Sequence, residues 1–350
     1  MSILMIGPSR AGKGGIATVV NNYFQSDLIN NIRIRYIATS IDSNKIFKLI
    51  YWIYSYLKIF IILFTGDIEL VHIHMASRGS FYRKSKIVQL SKIFNKKIII
   101  HLHGAQFDVF YNDECNDRKK ASIRKVFDKA DSVIVLSEQW RVFIKTLTKS
   151  RIDVLYNAVN VNEINEPNTS EKFYITFLGR LDKRKGVYDL IEAIKEVISE
   201  NNSVTLNLAG DGEIDLVNKI IRDNYLQNNI KILGWINSEE KDVLLRKTSI
   251  YILPSYNEGM PMSILEAMSY GIPVISTYVG GIPSVIKNDI NGILINPGDI
   301  KTLTLKIKEL MFDKGKYTLI SKMAHKTIIE KFSLKKHIET LMDIYDSILK

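Results

Sequence analysis

Two carboxylates separated by seven residues, Glu258 and Glu266, flank a loop-to-helix junction in the run PSYNEGMPMSILEAMSYG, residues 254–271. The apolar stretch Ile250–Leu253 before it predicts a buried parallel strand. Pro, Ser, Asn and Gly then signal a turn. Pro261 suits the first turn of a helix, and Ile264, Leu265 and Met268 have helical spacing within Met262–Tyr270. Gly271, with Pro273 beyond it, is a stop. The N-terminus of such a helix presents unpaired N–H groups and a positive dipole, which suit a phosphate. A carboxylate beside that anion site would accept hydrogen bonds from sugar or ribose hydroxyls. Taken alone, the pair reads more readily as two solvated side chains on a capped helix.

Cations stand at a second strand exit. The strand Tyr174–Leu178 runs into Gly179-Arg-Leu-Asp-Lys-Arg-Lys-Gly186, and a helix over Tyr188–Ser199 follows. Cations and a helix N-terminus at one spot would neutralise a diphosphate, whereas a solvated Lys-rich turn is the plain alternative. A third loop, Gly7–Gly15, joins the strand Ile3–Ile6 to a helix over Ala17–Phe24 and has anion-binding character. It falls short of a Walker A loop: Gly7, Gly12 and Lys13 are spaced for one, but Gly14 stands where Ser or Thr would ligate magnesium. In His101-Leu-His-Gly104 the two imidazoles share one face of a strand. No third ligand has metal-site spacing, so the sequence predicts no metal.

Together these motifs identify a resemblance. Glu258 and Glu266 match the E-x7-E motif of retaining nucleotide-sugar glycosyltransferases with the GT-B fold. NEGMPMSILEAMSYGIPVISTYVGGIP resembles the large family that includes sucrose-phosphate synthases and bacterial mannosyl- and polysaccharide glycosyltransferases. GRLDKRKG resembles that family's G-R-x-x-x-x-K-G element, and the likeness covers nearly the whole chain. The resemblance implies Arg180 and Lys185 as diphosphate ligands, with Lys183 and Arg184 unassigned. It implies Glu266 on the ribose hydroxyls and Glu258 on the donor sugar, helped by the backbone of Gly259, Met260 and Pro261. Met262 and Ser263, at the helix N-terminus, would face the diphosphate, and the loops at Gly210 and Gly234 would border the base and ribose. His103 would lie near the reacting sugar. Gly14 and Gly15 would stand beside donor phosphate and acceptor. Ser284 stands where many relatives carry an acid, so a role there does not carry over.

The remaining composition bounds this reading. The chain has 350 residues, 46% of them hydrophobic, enough for two ordinary domains. Its single cysteine, Cys115, excludes an internal disulfide and fits a reducing compartment. Ile3–Ile6 follows the first residues directly, without a basic leader, so no secretory signal is expected. The net charge of +11 is uneven: residues 1–151 hold 24 Lys and Arg against 11 Asp and Glu, and residues 152–350 hold 24 against 26. A basic first half fits an anionic partner, and Lys-rich surfaces also serve solubility alone. The segment Ile46–Phe64 has bilayer-spanning length but carries Lys48 and Lys58, so a buried or interfacial helix is expected.

Strands alternating with helices throughout predict α/β architecture. Further strands are expected at Ile34–Ala38, Leu70–His74, Ile98–His101, Ala130–Ser137 and Asp153–Val159 in the first half, and near Leu206–Gly212, Ile230–Gly234, Pro273–Ser276 and Gly292–Asp299 in the second. The resemblance specifies two Rossmann-like doubly wound parallel sheets facing a cleft. An acceptor-binding domain would occupy residues 1–160, with the helix at 334–350 packing back on it, and a nucleotide-sugar domain residues 173–333. Asn160–Lys172 is the expected linker. The expected activity is retaining, metal-independent transfer from a nucleotide-diphosphate sugar, UDP favoured, with no cofactor. The acceptor would be a glycan or polyprenyl-diphosphate-linked oligosaccharide in bacterial surface-polysaccharide synthesis. The basic first half, the apolar helix and the basic, aromatic Arg78–Lys84 stretch (Arg78 a candidate acceptor ligand) suit a cytoplasmic enzyme held peripherally on an anionic membrane. An epimerase or phosphorylase of the same fold, a P-loop NTPase requiring Lys13, and a nucleic-acid binder resting on charge alone are the alternatives; nucleic acid is not expected.

Overall fold

The computed structural model describes residues 1–12, 14–26, 32–165 and 172–350. Lys13 and part of the expected linker, residues 166–171, lie outside the described residues. Contacts divide the chain into two units, Met1–Ala158 with Leu334–Lys350, and Val159–Ser333.

The first unit is built from β1 (Ser2–Gly7), α1 (Gly15–Gln25), β2 (Arg33–Ala38), α2 (Lys45–Thr65), β3 (Leu70–Met75), α3 (Gly79–Ile93) and β4 (Lys97–Leu102). It continues through α4 (Phe107–Asn112), α5 (Asp117–Phe127), β5 (Ser132–Val135), α6 (Glu138–Lys145) and β6 (Arg151–Val154). The second unit comprises β7 (Phe173–Leu178), α7 (Val187–Glu200), β8 (Val204–Ala209), α8 (Ile214–Asp223), β9 (Ile230–Gly234), α9 (Ser238–Arg246) and β10 (Ile250–Leu253). It is completed by α10 (Met262–Ser269), β11 (Val274–Thr277), α11 (Ile282–Val285), β12 (Ile293–Ile295), α12 (Ile300–Phe312) and α13 (Lys314–Thr327). The closing helix α14 (Leu334–Leu349) belongs to the first unit.

Each unit has one six-stranded sheet. The first is ordered β2-β1-β3-β4-β5-β6 and the second β12-β11-β10-β7-β8-β9. Every pairing is parallel, for example Leu4 opposite Val71 and Ile252 opposite Ile275. Parallel strands covered on both faces must be apolar along their length, and β3, β5, β10, β11 and β12 are buried at every position. The strand order reverses between β1 and β3 in one sheet and between β7 and β10 in the other. Ligands of open α/β sheets bind outside the carboxyl ends of strands at such a reversal.

Two expected boundaries are corrected. The strand expected at Asp153–Val159 is β6, which begins at Arg151 and ends at Val154; only an isolated bridge remains beyond it, at Val159 to Ser333. Pro261 is not inside α10 but caps it in extended conformation, φ −70° and ψ 123°. The apolar helix α2 is largely exposed rather than buried. It docks through Ser55, Ile59 and Leu63, while Ile46, Phe47, Leu49, Ile50, Ile53, Tyr54, Leu57 and Ile61 are exposed. By length and composition alone it is the one helix among the described residues that could cross a membrane.

Candidate active site

The second unit gathers its polar groups at the β7–β10 reversal. Asp182 opens a tight turn after β7 by accepting from the Lys185 backbone N–H at 3.0 Å. That turn points the ammonium of Lys185 at the loop after β10, where it donates to the Glu258 carboxylate. Ser255 donates to the same Glu258 oxygen at 2.8 Å. The two loops are also joined along their backbones: Tyr256 N–H donates to the Arg184 carbonyl at 2.8 Å, and the Arg184 guanidinium donates to the Asn257 carbonyl at 3.2 Å. Glu258 is only 6% exposed, so its charge rests on Lys185 and Ser255 rather than on water.

Arg180, in the same turn, is exposed and lies 3.3 Å from Asp182 and 4.0 Å from Asp211. It is an exposed cation at the strand end, in ion pairs worth little in solvent. Gly259, Met260, Pro261 and Met262 are buried and lead directly into the first turn of α10; no side chain caps that helix. A helix N-terminus without a side-chain cap is suited to an anion, and Ser263 in its first turn is hydrogen-bonded to Tyr251.

Backbone proximity fixes the loop. Gly280 has φ +53°, and a Cβ there would lie 1.7 Å from the Glu258 carbonyl oxygen. Gly210, φ +151°, would place one 1.9 Å from the Gly179 carbonyl oxygen. Both glycines permit a main-chain approach that no other residue allows. Gly234, φ +67°, accepts from Gly210 N–H at 2.7 Å, which brings the β8 and β9 exits together.

Glu266 sits one turn into α10 and accepts from Lys241 of α9 at 2.6 Å. The E-x7-E pair thus has two lysine partners rather than one shared ligand. Sequence reasoning missed Lys241 and Ser255. Lys241 carries no motif, and only folding α9 beside α10 identifies it.

In the first unit Gly14 caps α1 with φ +129° and Gly15 begins that helix. Arg78, a candidate acceptor ligand, is engaged inside the unit: its Nε lies 2.9 Å from a Glu114 oxygen and its Nη1 2.9 Å from Gln106. His103 follows β4, and its Nε2 lies 2.8 Å from His74 Nδ1.

The imidazole pair expected from His101 and His103 is part of a larger cluster. Because β3 and β4 pair in register, His74 lies opposite His101, and His72 joins the same face. His72 Nδ1 lies 2.6 Å from the Tyr345 hydroxyl and its Nε2 3.2 Å from His101 Nδ1. His337 of α14 lies 2.7 Å from the Tyr23 hydroxyl of α1. Burial pushes His72 down to about 3 and His337 to about 4, and holds His74, His101 and His103 well below the ordinary value. These rings are neutral at pH 7 and act as hydrogen-bonding groups.

The additional imidazoles that the sequence failed to pair with His101 come from the neighbouring strand. Ligand atoms of His72, His74 and His101 lie within 4.8 Å of one another and could approach one cation. Both His72 nitrogens already have hydrogen-bond partners, which favours the neutral network. Nearby Lys84 is buried, with Ser80 Oγ at 3.2 Å, and burial pushes its ammonium down to about 7.

Two parallel six-stranded sheets, with Arg180, Lys185 and the N-terminus of α10 gathered at the second sheet's reversal, are those of a nucleotide-sugar glycosyltransferase of the GT-B fold. Residues 160–327 match the family model "Glycosyl transferases group 1", so this stretch of the chain is a group 1 glycosyltransferase domain. Among curated relatives, the chain is 26% identical over 320 residues to the UDP-Gal:alpha-D-GlcNAc-diphosphoundecaprenol alpha-1,3-galactosyltransferase of Escherichia coli, covering 83% of this chain and 78% of that protein. Among solved structures, it is similar to sucrose-phosphate synthase from Thermosynechococcus elongatus, with TM-score 0.82, 16% identity and 99% of both chains covered. It is also similar to Anabaena HepE in complex with UDP-glucose, with TM-score 0.77, 20% identity, and 99% of this chain and 100% of that one covered.

Proposed function

We propose that the chain transfers a sugar, with retention of anomeric configuration and without a metal, from a UDP-sugar to a lipid-linked glycan in bacterial surface-polysaccharide synthesis. The observation that carries the donor half is the Lys185–Glu258 bridge between the two loops at the β7–β10 reversal. Departure of a nucleoside diphosphate develops negative charge on the β-phosphate. Lys185, Arg180 and the N–H groups at the start of α10 can neutralise that charge, which is the task a divalent ion would otherwise perform. Glu258 then orients the donor sugar, Glu266 the ribose, and Gly210 and Gly234 border the nucleoside. Gly14, Gly15 and His103 are assigned to the acceptor side, where neutral His103 hydrogen-bonds the reacting sugar.

The glutamates have separate lysine partners and separate hydroxyls to hold, so no covalent glycosyl-enzyme is proposed. The acceptor attacks from the leaving-group face. UDP is favoured because the E. coli relative is named for UDP-Gal and the HepE structure for UDP-glucose. The relative's diphosphoundecaprenol acceptor and the capsular-polysaccharide enzyme CapM of Staphylococcus aureus, 28% identical over 185 residues, support the process. The exposed apolar residues of α2 and the basic first half support peripheral attachment to the inner face of the plasma membrane.

The test is a panel of UDP- and GDP-sugars with EDTA present, read by calorimetry and by NMR of the transferred sugar's anomeric proton. Binding of a UDP-sugar and product of unchanged anomeric configuration is expected. Binding only with magnesium, or an inverted product, would overturn the metal-free retaining reading. Flotation with phosphatidylglycerol vesicles tests the membrane placement.

A further inference from the structure

The first unit has an open cavity of about 270 Å³ at the carboxyl end of β2, lined by Thr39, Ser40, Ile41, Asp42, Lys48 and Arg83. Three elements build it. Thr39–Asp42 continue from β2, and Ser9 N–H of the glycine-rich loop donates to the Ser40 carbonyl at 2.8 Å. Lys48 stands in the first turn of α2, and Arg83 in the second turn of α3.

The cations there are unmatched. Among the described residues, no Asp or Glu lies within ion-pair distance of Arg83 or Lys48. Among the described residues Arg83 Nε is buried without a hydrogen-bond partner, which leaves a charged donor unsatisfied. Burial pushes the Arg83 guanidinium down, as expected of a cation lacking an acid. Asp42 lines the same cavity, so an anion belongs on the Arg83 and Lys48 side, away from that carboxylate. The exposed apolar residues Ile46, Phe47, Leu49 and Ile50 on α2 adjoin Lys48 in sequence and present hydrocarbon next to the cations.

An unmatched guanidinium and ammonium beside an exposed apolar helix fit one kind of ligand, an amphiphile with a phosphate or diphosphate head. We propose that this cavity is the acceptor's phosphate site: Arg83 and Lys48 hold the diphosphate of a lipid-linked acceptor whose hydrocarbon lies along α2. The assignment rests on the lipid-linked reading above, and it places the acceptor's head at residues that no motif singled out.

The test is calorimetry of the full chain with farnesyl diphosphate in saturating UDP, which keeps the probe's diphosphate out of the donor site. Arg83→Gln and Lys48→Gln should each weaken farnesyl diphosphate about tenfold or more, the loss of one charge-assisted contact. Lys58→Gln, which removes an equal charge elsewhere on α2, should change it less than about twofold. UDP affinity, measured separately, should be unchanged in all three, and an unchanged circular dichroism melting curve reports that each variant is folded. Farnesyl diphosphate binding insensitive to both Arg83→Gln and Lys48→Gln would overturn the assignment. So would farnesol bound as tightly as farnesyl diphosphate by the wild type. A defect confined to phosphatidylglycerol vesicles would give the cations to a bilayer headgroup and overturn the acceptor role. Absence of UDP binding in the wild type is a different failure, that of the glycosyl-donor reading.

Discussion

Lys185 and Glu258 meet across the point where the second sheet reverses its strand order, one from the loop after β7 and one from the loop after β10. Ser255 donates to the same carboxylate, and both charged groups are largely removed from water. The pair therefore pins two loops that must present a cation and a carboxylate to one ligand. Breaking it from one side leaves a buried charge alone.

Glu258→Ala is accordingly expected to destabilise the protein by about 3–5 kcal/mol. Lys185→Met with Glu258→Met together should cost less than the sum of the single changes, because neither charge is then stranded. Urea denaturation of the two single variants and the double variant measures this. Strict additivity would show that the bridge does not couple the loops.

Glu266 is set apart by its partner. Glu266→Ala should weaken UDP by about 1.5–3 kcal/mol, the range for hydrogen bonds to a charged group, whereas Lys241→Ala should leave UDP affinity within about threefold. Calorimetry decides it. Equal losses in both variants would assign the nucleotide contact to the ion pair rather than to Glu266.

Gly280→Ala adds a methyl group where 1.7 Å separates its position from the Glu258 carbonyl oxygen, at φ +53°. The loop must shift, and a shift of even about 1 Å at a reacting centre costs on the order of a hundredfold in rate. The expected result is a large fall in kcat with a folded protein by circular dichroism. Wild-type kcat would show that the Glu258 loop is not part of the reacting geometry.

The histidine cluster predicts acid sensitivity. His337 has its folded value pushed to about 4 from 6.5, so the unfolded chain takes up a proton first as pH falls. Stability is therefore retained above about 6.5 and lost progressively below it, by about 1.4 kcal/mol per pH unit for each such group. Between pH 7.5 and 5.5, His337→Gln should lose about 1.4 kcal/mol less stability than wild type. Parallel curves would mean that His337 is not buried neutral.

Lys84 gives a second handle on the same unit, of the same sign but in a more alkaline window. Its folded value is pushed from 10.5 to about 7, so the unfolded chain binds the proton more readily throughout that window. Its burial costs stability as pH falls from 10.5 towards 7. Lys84→Met should raise the urea midpoint at pH 7, with a smaller gain at pH 9.5. A gain that grows with pH would contradict a depressed lysine.

Local chemistry made much of this chain legible. The apolar run that became β10 was readable because a strand buried on both faces has to be apolar throughout. Gly179–Gly186 and Pro254–Gly271 announced strand–loop–helix units because glycine, proline and helix-start chemistry act within a few residues. What sequence separation concealed was partnership. Lys185 and Glu258 are 73 positions apart, and Lys241 and Glu266 are 25 apart. Nothing in either pair's neighbourhood encodes its partner, since that depends on the strand order that places β7 beside β10. The same holds for the histidines: His72 and His74 join His101 and His103 only through the parallel register of β3 and β4. Arg83 became a cation without an acid only once α3 was folded against the end of β2. The sequence by itself determined the elements and the loop chemistry at their ends, which are local properties. Tertiary structure alone decided which charges were matched, which were left over and which rings lost their water.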